Sequence, residues 1–226
     1  MADSKRGTRL PLLPLSDFVC FPRTTLRLLV HEPRYRQLVR DLLDREEHER
    51  LVGLVLVKSE TSAPRRDIYP GGTATRVVEA EALPDGRSNL LLEGDFRFTV
   101  RREVGGAPYR EALVEEVAEP WLNQDDAGIL AVRGEIVDAA RMLLAEIQET
   151  FLDVEDLEDL AIGSDFEELV NQMAVHLDLP AQRKLELLAA SLPERALLVL
   201  SILKARRRVL DLLRPYRPLA ARPDLN

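Results

Sequence analysis

The side chains able to do chemistry are few and unevenly placed. The chain holds three histidines (His31, His48, His176), one cysteine (Cys20) and four lysines (Lys5, Lys58, Lys184, Lys204). Their densest neighbourhood is His31-Glu32-Pro33-Arg34-Tyr35, where an imidazole, a carboxylate, a guanidinium and a phenol lie side by side. That set offers proton transfer or a binding corner. A helix start accounts for the same residues. Pro33 suits the first helical position, where its missing N–H breaks no bond. Glu32 sets a carboxylate against the positive end of the helix dipole. Arg34 and Arg36 are placed to reach back to a carboxylate, and Tyr35 buries a ring while its hydroxyl stays paired or wet. The corner reads as a structural joint, with Glu32, Arg34 and Tyr35 as candidate partner contacts and no catalytic role.

Other catalytic patterns are missing from the sequence. No lysine follows a glycine, so the phosphate loop Gly-x-x-x-x-Gly-Lys-Ser/Thr does not occur, and there is no Gly-x-Gly-x-x-Gly. No His-Glu-x-x-His is present, and one cysteine cannot build a cysteine-rich zinc site. Cys20 stands in Phe-Val-Cys-Phe-Pro and reads as a buried structural thiol. No Gly-x-Ser-x-Gly elbow occurs. His48 lies in a charged helix end and His176 closes an amphipathic helix, where a cation favours the dipole. Catalytic residues, metal ligands and cofactors are therefore all assigned as none. Tyr69 and Trp121 are the candidate exposed anchors, because large amphipathic rings carry binding energy well.

Composition bounds the setting. One cysteine excludes an internal disulfide and fits a reducing compartment. The longest apolar runs, 51–57 and 196–200, fall far short of a membrane span. Lys5, Arg6 and Arg9 precede an apolar stretch that Pro11 and Pro14 interrupt, unlike a signal peptide. A cytoplasmic protein with no membrane contact is expected. Net charge is −8, distributed as +3 over residues 1–110, −16 over 111–168 and +5 over 169–226. The acidic block reads as a solvated helical face and repels nucleic acid. The basic run 204–208, Lys-Ala-Arg-Arg-Arg, is the one nucleic-acid candidate. It reads first as a solvated helix face or an ion-pair partner for the acidic block.

The elements that would position these residues change character midway. Strands are expected over 9–15, 26–30 and 51–57, the last β-branched and buried on both faces. Segments 73–83 and 88–92 flank Pro84-Asp85-Gly86-Arg87 and predict a hairpin. Phe96, Phe98 and Val100 alternate with Arg97, Thr99 and Arg101, one face in and one out. A further strand follows over 108–117, and one helix interrupts the series at Pro33. Many short strands with regular turns suggest a small barrel or rolled sheet. Beyond Pro120, Ile129, Val132, Ile136, Ala140, Leu143 and Ile147 form a helical stripe. Ser164 to Glu167 has capping-box form. Pro180 and Pro193 open the last two helices, and short loops predict antiparallel packing. The domains expected are a β-rich part over 1–119, a helical bundle over 120–214 and an extended or frayed tail over 215–226.

Several stretches together resemble a known family. "LPLLPLSDFVCFPRTTLRLLVHEPRYRQLV" carries Leu-Pro-Leu, Phe21-Pro22 and Glu32 to Tyr35 in order. "YPGGTATRVVEAEALPDGRSNLLLEGDFRFTV" adds Gly72-Thr73, Leu92-Glu93-Gly94 and Arg97-Phe98, and "LPAQRKLELLAASLPERALLVLSIL" follows. This order is similar to the N-terminal substrate-binding domain of the ATP-dependent protease Lon, over about residues 9–204. The resemblance implies an α+β fold, with a PUA-like β-barrel carrying one inserted helix, then a helical bundle. It also implies a stand-alone, non-enzymatic domain without the ATPase and Ser-Lys protease modules. Asp17 and Cys20 depart from apolar family positions, Arg23-Thr24 from a position where glycine is common, and Val30-His31 from one that favours Phe. The function expected is recognition of exposed peptide segments of unfolded or substrate proteins, or docking of a separate protease or chaperone. RNA binding through the barrel and residues 204–208 is the alternative. Oligomeric state is left open.

Overall fold

The computed structural model describes residues 7–58, 67–144 and 154–213. Ile147 and the tail expected over 215–226 lie outside the described residues. Among the described residues the fold is α+β: one mixed sheet of six strands and six α-helices. Contacts divide the chain into two units, 1–120 with 171–191, and 121–170 with 192–226.

The first unit holds the strands β1 (Thr8–Leu15), β2 (Thr25–Val30), β3 (Leu51–Val57), β4 (Ile68–Ala82), β5 (Ser88–Val104) and β6 (Arg110–Glu116), with helix α1 (Pro33–Leu43) and a short 3-10 turn at Glu47–Glu49. Pairings run β2-β5-β4-β3-β1-β6, and β5 also pairs with β6, so five strands close into a ring with β2 outside it. β1 and β3 are parallel; every other pair is antiparallel.

Two apolar clusters explain why β1 and β3 are apolar almost throughout. Leu10, Leu12, Val55, Ala74, Phe98, Ala112 and Val114 come from all five ring strands and pack together. Leu13, Val52, Leu54, Leu90 and Leu92 point the other way, against Tyr35, Leu38, Val39 and Leu42 of α1. Alternation therefore survives, but both faces are dry. The Tyr109 hydroxyl joins this second cluster, donating to Asp41 Oδ2 of α1 at 2.8 Å. Burial, with Asp41 beside it, pushes the phenol up to about 12. The neutral phenol is the form favoured on folding, so its contribution is complete below the ordinary value near 10. It disappears as pH rises from there through about 12. Tyr109→Phe should destabilise by about 1 kcal/mol at neutral pH and flatten the stability loss between pH 10 and 12, as read from urea melts across that range.

Two sequence expectations change here. Segments 88–92 and 96–101 are one strand, β5, whose pairing shifts register opposite Ala74 and Thr75. The outward face of 97–101 is not uniformly wet, since Arg97 is buried.

The remaining helices are α2 (Ala127–Leu144), α3 (Val154–Gly163), α4 (Phe166–His176), α5 (Ala181–Ala189) and α6 (Leu192–Leu213). A single bundle over 120–214 is not what the contacts give. Residues 171–191 belong with the strands, because Asn171 Nδ2 donates to Pro22 O at 3.1 Å, and Arg97 Nη1 donates to Leu188 O and Ala190 O. Lys184 Nζ donates to Val175 O at 2.6 Å, a cation at the C-terminal end of α4.

In the second unit α2 runs beside α6, with Ile136, Ala140, Leu143, Val199 and Leu203 buried. Arg133 Nη2 donates to Ala161 O and Ser164 O, closing the end of α3. The capping box at Ser164 does not form. The Ser164 hydroxyl donates back to Leu160 O, and the Asp165 carboxylate takes the Glu168 N–H at 2.9 Å, so Asp165 is the cap. Among the described residues no helix is long and apolar enough to cross a membrane.

Candidate functional site

The joint at 31–36 assembles as a corner of the first unit. Glu32 is the cap residue of α1 without a side-chain cap bond, and Pro33 stands in its first turn. Arg34 turns back on its own segment, with Nη2 2.7 Å from Glu32 Oε2 and its guanidinium 4.8 Å above the Tyr35 ring. Both side chains of the pair are about two-fifths exposed, so the pair adds little stability. Arg36 finds carbonyls rather than a carboxylate: Nε donates to His31 O at 2.7 Å and Nη1 to Asp85 O at 3.1 Å. That second bond ties α1 to the hairpin loop between β4 and β5, where Gly86 has φ +80°. His31 is exposed. Glu32, Arg34 and Tyr35 are thus together. Tyr69 is half-buried at the opposite end of the long strand β4 from that loop.

A second corner lies around Phe21-Pro22-Arg23-Thr24. Thr24 Oγ1 donates to Phe21 O at 2.7 Å, and Gln172 Nε2 donates to Arg23 O at 3.3 Å. Arg23 has φ +58°, in the left-handed region that favours glycine. Arg23, Arg76, Glu93, Gly94 and Asp95 line a cleft of about 250 Å³. Its charges are internally matched, Arg76 Nη2 lying 2.6 Å from Asp95 Oδ2. Cys20 is buried beside this turn, and burial pushes its thiol up to about 11, which leaves it protonated and unreactive at neutral pH. Among the described residues no three metal-ligating side chains cluster.

Trp121 belongs to the second unit and is 86% exposed. Ile162 of the same unit is 83% exposed at the end of α3. Gln124 Oε1 accepts the Phe166 N–H at 3.1 Å, so the stretch after Trp121 is fastened next to the end of α3. The sequence signal for its exposure is spacing: Ile162 stands five residues after the buried Leu157 and two after Leu160, off their helical face. In the basic run, Lys204 pairs with Glu135 of α2 and Arg207 with Asp211.

Lon protease of Flavobacterium johnsoniae is 25% identical over 219 residues, covering 94% of this chain and 26% of that protein. Lon protease 2 of Sorangium cellulosum is 32% identical over 136 residues, covering 59% of this chain and 16% of its own length. The chain thus spans about a quarter or less of these relatives. Among solved structures, the N-terminal domain of Mycobacterium avium complex Lon protease matches with TM-score 0.63 and 15% identity, over 87% of this chain and 98% of that one. The Lon N-terminal domain protein from Xanthomonas campestris matches with TM-score 0.61 and 24% identity, over 86% and 98%. These two likenesses establish the fold. The family model described as the ATP-dependent protease La (LON) substrate-binding domain matches residues 9–205, and the chain belongs to that family.

Proposed function

We propose that the chain is a non-enzymatic recognition module that holds exposed apolar segments of unfolded or substrate polypeptides, alone or for a separate protease or chaperone. One observation carries the reading: a tryptophan 86% exposed in a folded unit, with Ile162 83% exposed in the same unit. Large amphipathic rings carry binding energy well, so an exposed tryptophan is a ready anchor for an apolar segment. The match confined to the substrate-binding part of Lon supports it, as does a sequence without the ATPase phosphate loop. We read the ring of strands as PUA-like. The single, buried cysteine fits a reducing, cytoplasmic setting. Of the four basic side chains in 204–208, Lys204 and Arg207 are in ion pairs, which weighs against the RNA-binding alternative.

Because Trp121 is the sole tryptophan, its own fluorescence reports the test. Titration with a reduced, carboxymethylated protein should shift its emission to the blue and saturate in the micromolar range. Trp121→Ala, followed by anisotropy of a labelled substrate, should weaken binding about tenfold. Absence of binding at hundreds of micromolar overturns the proposal.

A further inference from the structure

The ladder between β2 and β5 has a definite phase. Gly94 N–H donates to Thr24 O at 2.9 Å, and Arg23 N–H to Gly94 O at 2.8 Å. With Leu26 opposite Leu92 and Leu28 opposite Leu90, that phase turns the N–H and C=O of Leu26, Leu28 and Val30 toward β5. It turns those of Thr25, Arg27 and Leu29 away from the sheet. Among the described residues β2 is the end strand, and β5 is the one strand paired with it. Thr25, Arg27 and Leu29 are exposed, and their outward backbone groups have no partner among the described residues.

Bare edges are normally blunted by proline, inward charge or short length, because they template the pairing of another chain. The six residues Thr-Leu-Arg-Leu-Leu-Val have one charge and no proline. Leu26 and Leu28 are only half-buried at the rim of the core beneath α1, and Leu29 is 42% exposed on the other face. The Arg27 guanidinium has no ion-pair partner among the described residues.

We infer that this edge receives an extended polypeptide segment as an additional strand. The inference rests on the reading of the chain as a peptide-recognition module and adds, to the anchor at Trp121, a place on the first unit where an extended segment is held. Backbone bonds to Thr25, Arg27 and Leu29 supply sequence-independent affinity, which suits a module for many substrates. Apolar side chains at alternate positions of the segment cover Leu26 and Leu28. A carboxylate between them, on the outer face, meets Arg27. A second copy of this chain fits less well, because the two-fold register that uses all three open positions sets Arg27 against Arg27.

The probe is a short peptide of alternating valine and threonine with a central aspartate in a threonine position. Hydrogen exchange of the full chain should show the Thr25, Arg27 and Leu29 amides slowed at least tenfold when it binds. Arg27→Glu should weaken that peptide about tenfold and favour its lysine-centred counterpart. Arg27→Pro places a ring on the open side of the strand, where proline is tolerated, and should abolish binding. Should that variant not fold, the same peptide N-methylated at alternate residues must fail to bind the unaltered protein. Three results overturn the inference: binding without protection at residues 25–29, equal binding of the N-methylated peptide, or concentration-dependent protection of these amides without peptide. If the carboxymethylated protein still binds, with protection only around 121–126, the recognition reading stands and the edge is excluded. If neither ligand binds, both fall.

Discussion

Replacing Arg97 by methionine should destabilise the first unit by about 3–5 kcal/mol, because it removes one side of a buried charged contact and leaves the other. The guanidinium is 5% exposed. Its Nη1 donates to Leu188 O at 2.6 Å and Ala190 O at 2.8 Å, and its Nε lies 2.8 Å from Glu119 Oε1. Methionine fills much of the same volume, so packing changes little. What is lost is the donor for two carbonyls at the end of α5 and the countercharge of a mostly buried carboxylate. Urea denaturation should show the midpoint falling, and hydrogen exchange should show amides of 181–190 opening first. Arg97→Met with Glu119→Gln should recover part of the loss, since the orphaned charge is gone. An unchanged midpoint in the single variant would show that residues 171–191 are held without Arg97.

Arg97 also shows what the sequence could and could not say. Its alternation with Phe96 and Phe98 is real, and Phe98 does enter the ring. Period two reports which face a residue takes, not what covers that face. The cover is α5, some ninety positions later, and nothing in the local pattern announces it. The same blindness produced the expectation of one continuous bundle. The helical spacing of 166–176 is correct for α4, yet Asn171 within it is fully buried against Pro22. Asn171 stands off the stripe of Phe166, Leu169, Val170 and Met173, on the side of Glu167 and Glu168, so helical spacing gave no sign of its burial. Strand positions, the helix at Pro33 and the apolar faces were legible because short-range sterics and periodicity fix them. The open edge of β2 was not, because edge status depends on the order of strands in space. Of the candidate residues, Glu32, Arg34 and Tyr35 come together because they share one turn, whereas Tyr69 and Trp121 were chosen by residue type alone.

The turn at 21–24 carries the second large effect, and two substitutions there should act in opposite directions. A Cβ on Gly94 would stand 2.1 Å from Phe21 O and 3.0 Å from Pro22 Cα, which are backbone atoms that cannot swing aside. Gly94→Ala must therefore move one chain away from the other, at about 3 kcal/mol. The displacement falls on the two bonds, Arg23 N–H to Gly94 O and Gly94 N–H to Thr24 O, that set the phase of β2. Amides of Leu26 and Leu28 should then exchange faster while those of β3 stay protected. Arg23→Gly relieves a left-handed backbone at φ +58° and should stabilise by about 0.5–1 kcal/mol, the gain reduced by glycine's freedom in the unfolded chain. If Gly94→Ala left both stability and β2 exchange intact, the close approach of the turn to β5 would be wrong. The directed edge at Thr25, Arg27 and Leu29 would lose the geometry on which it depends.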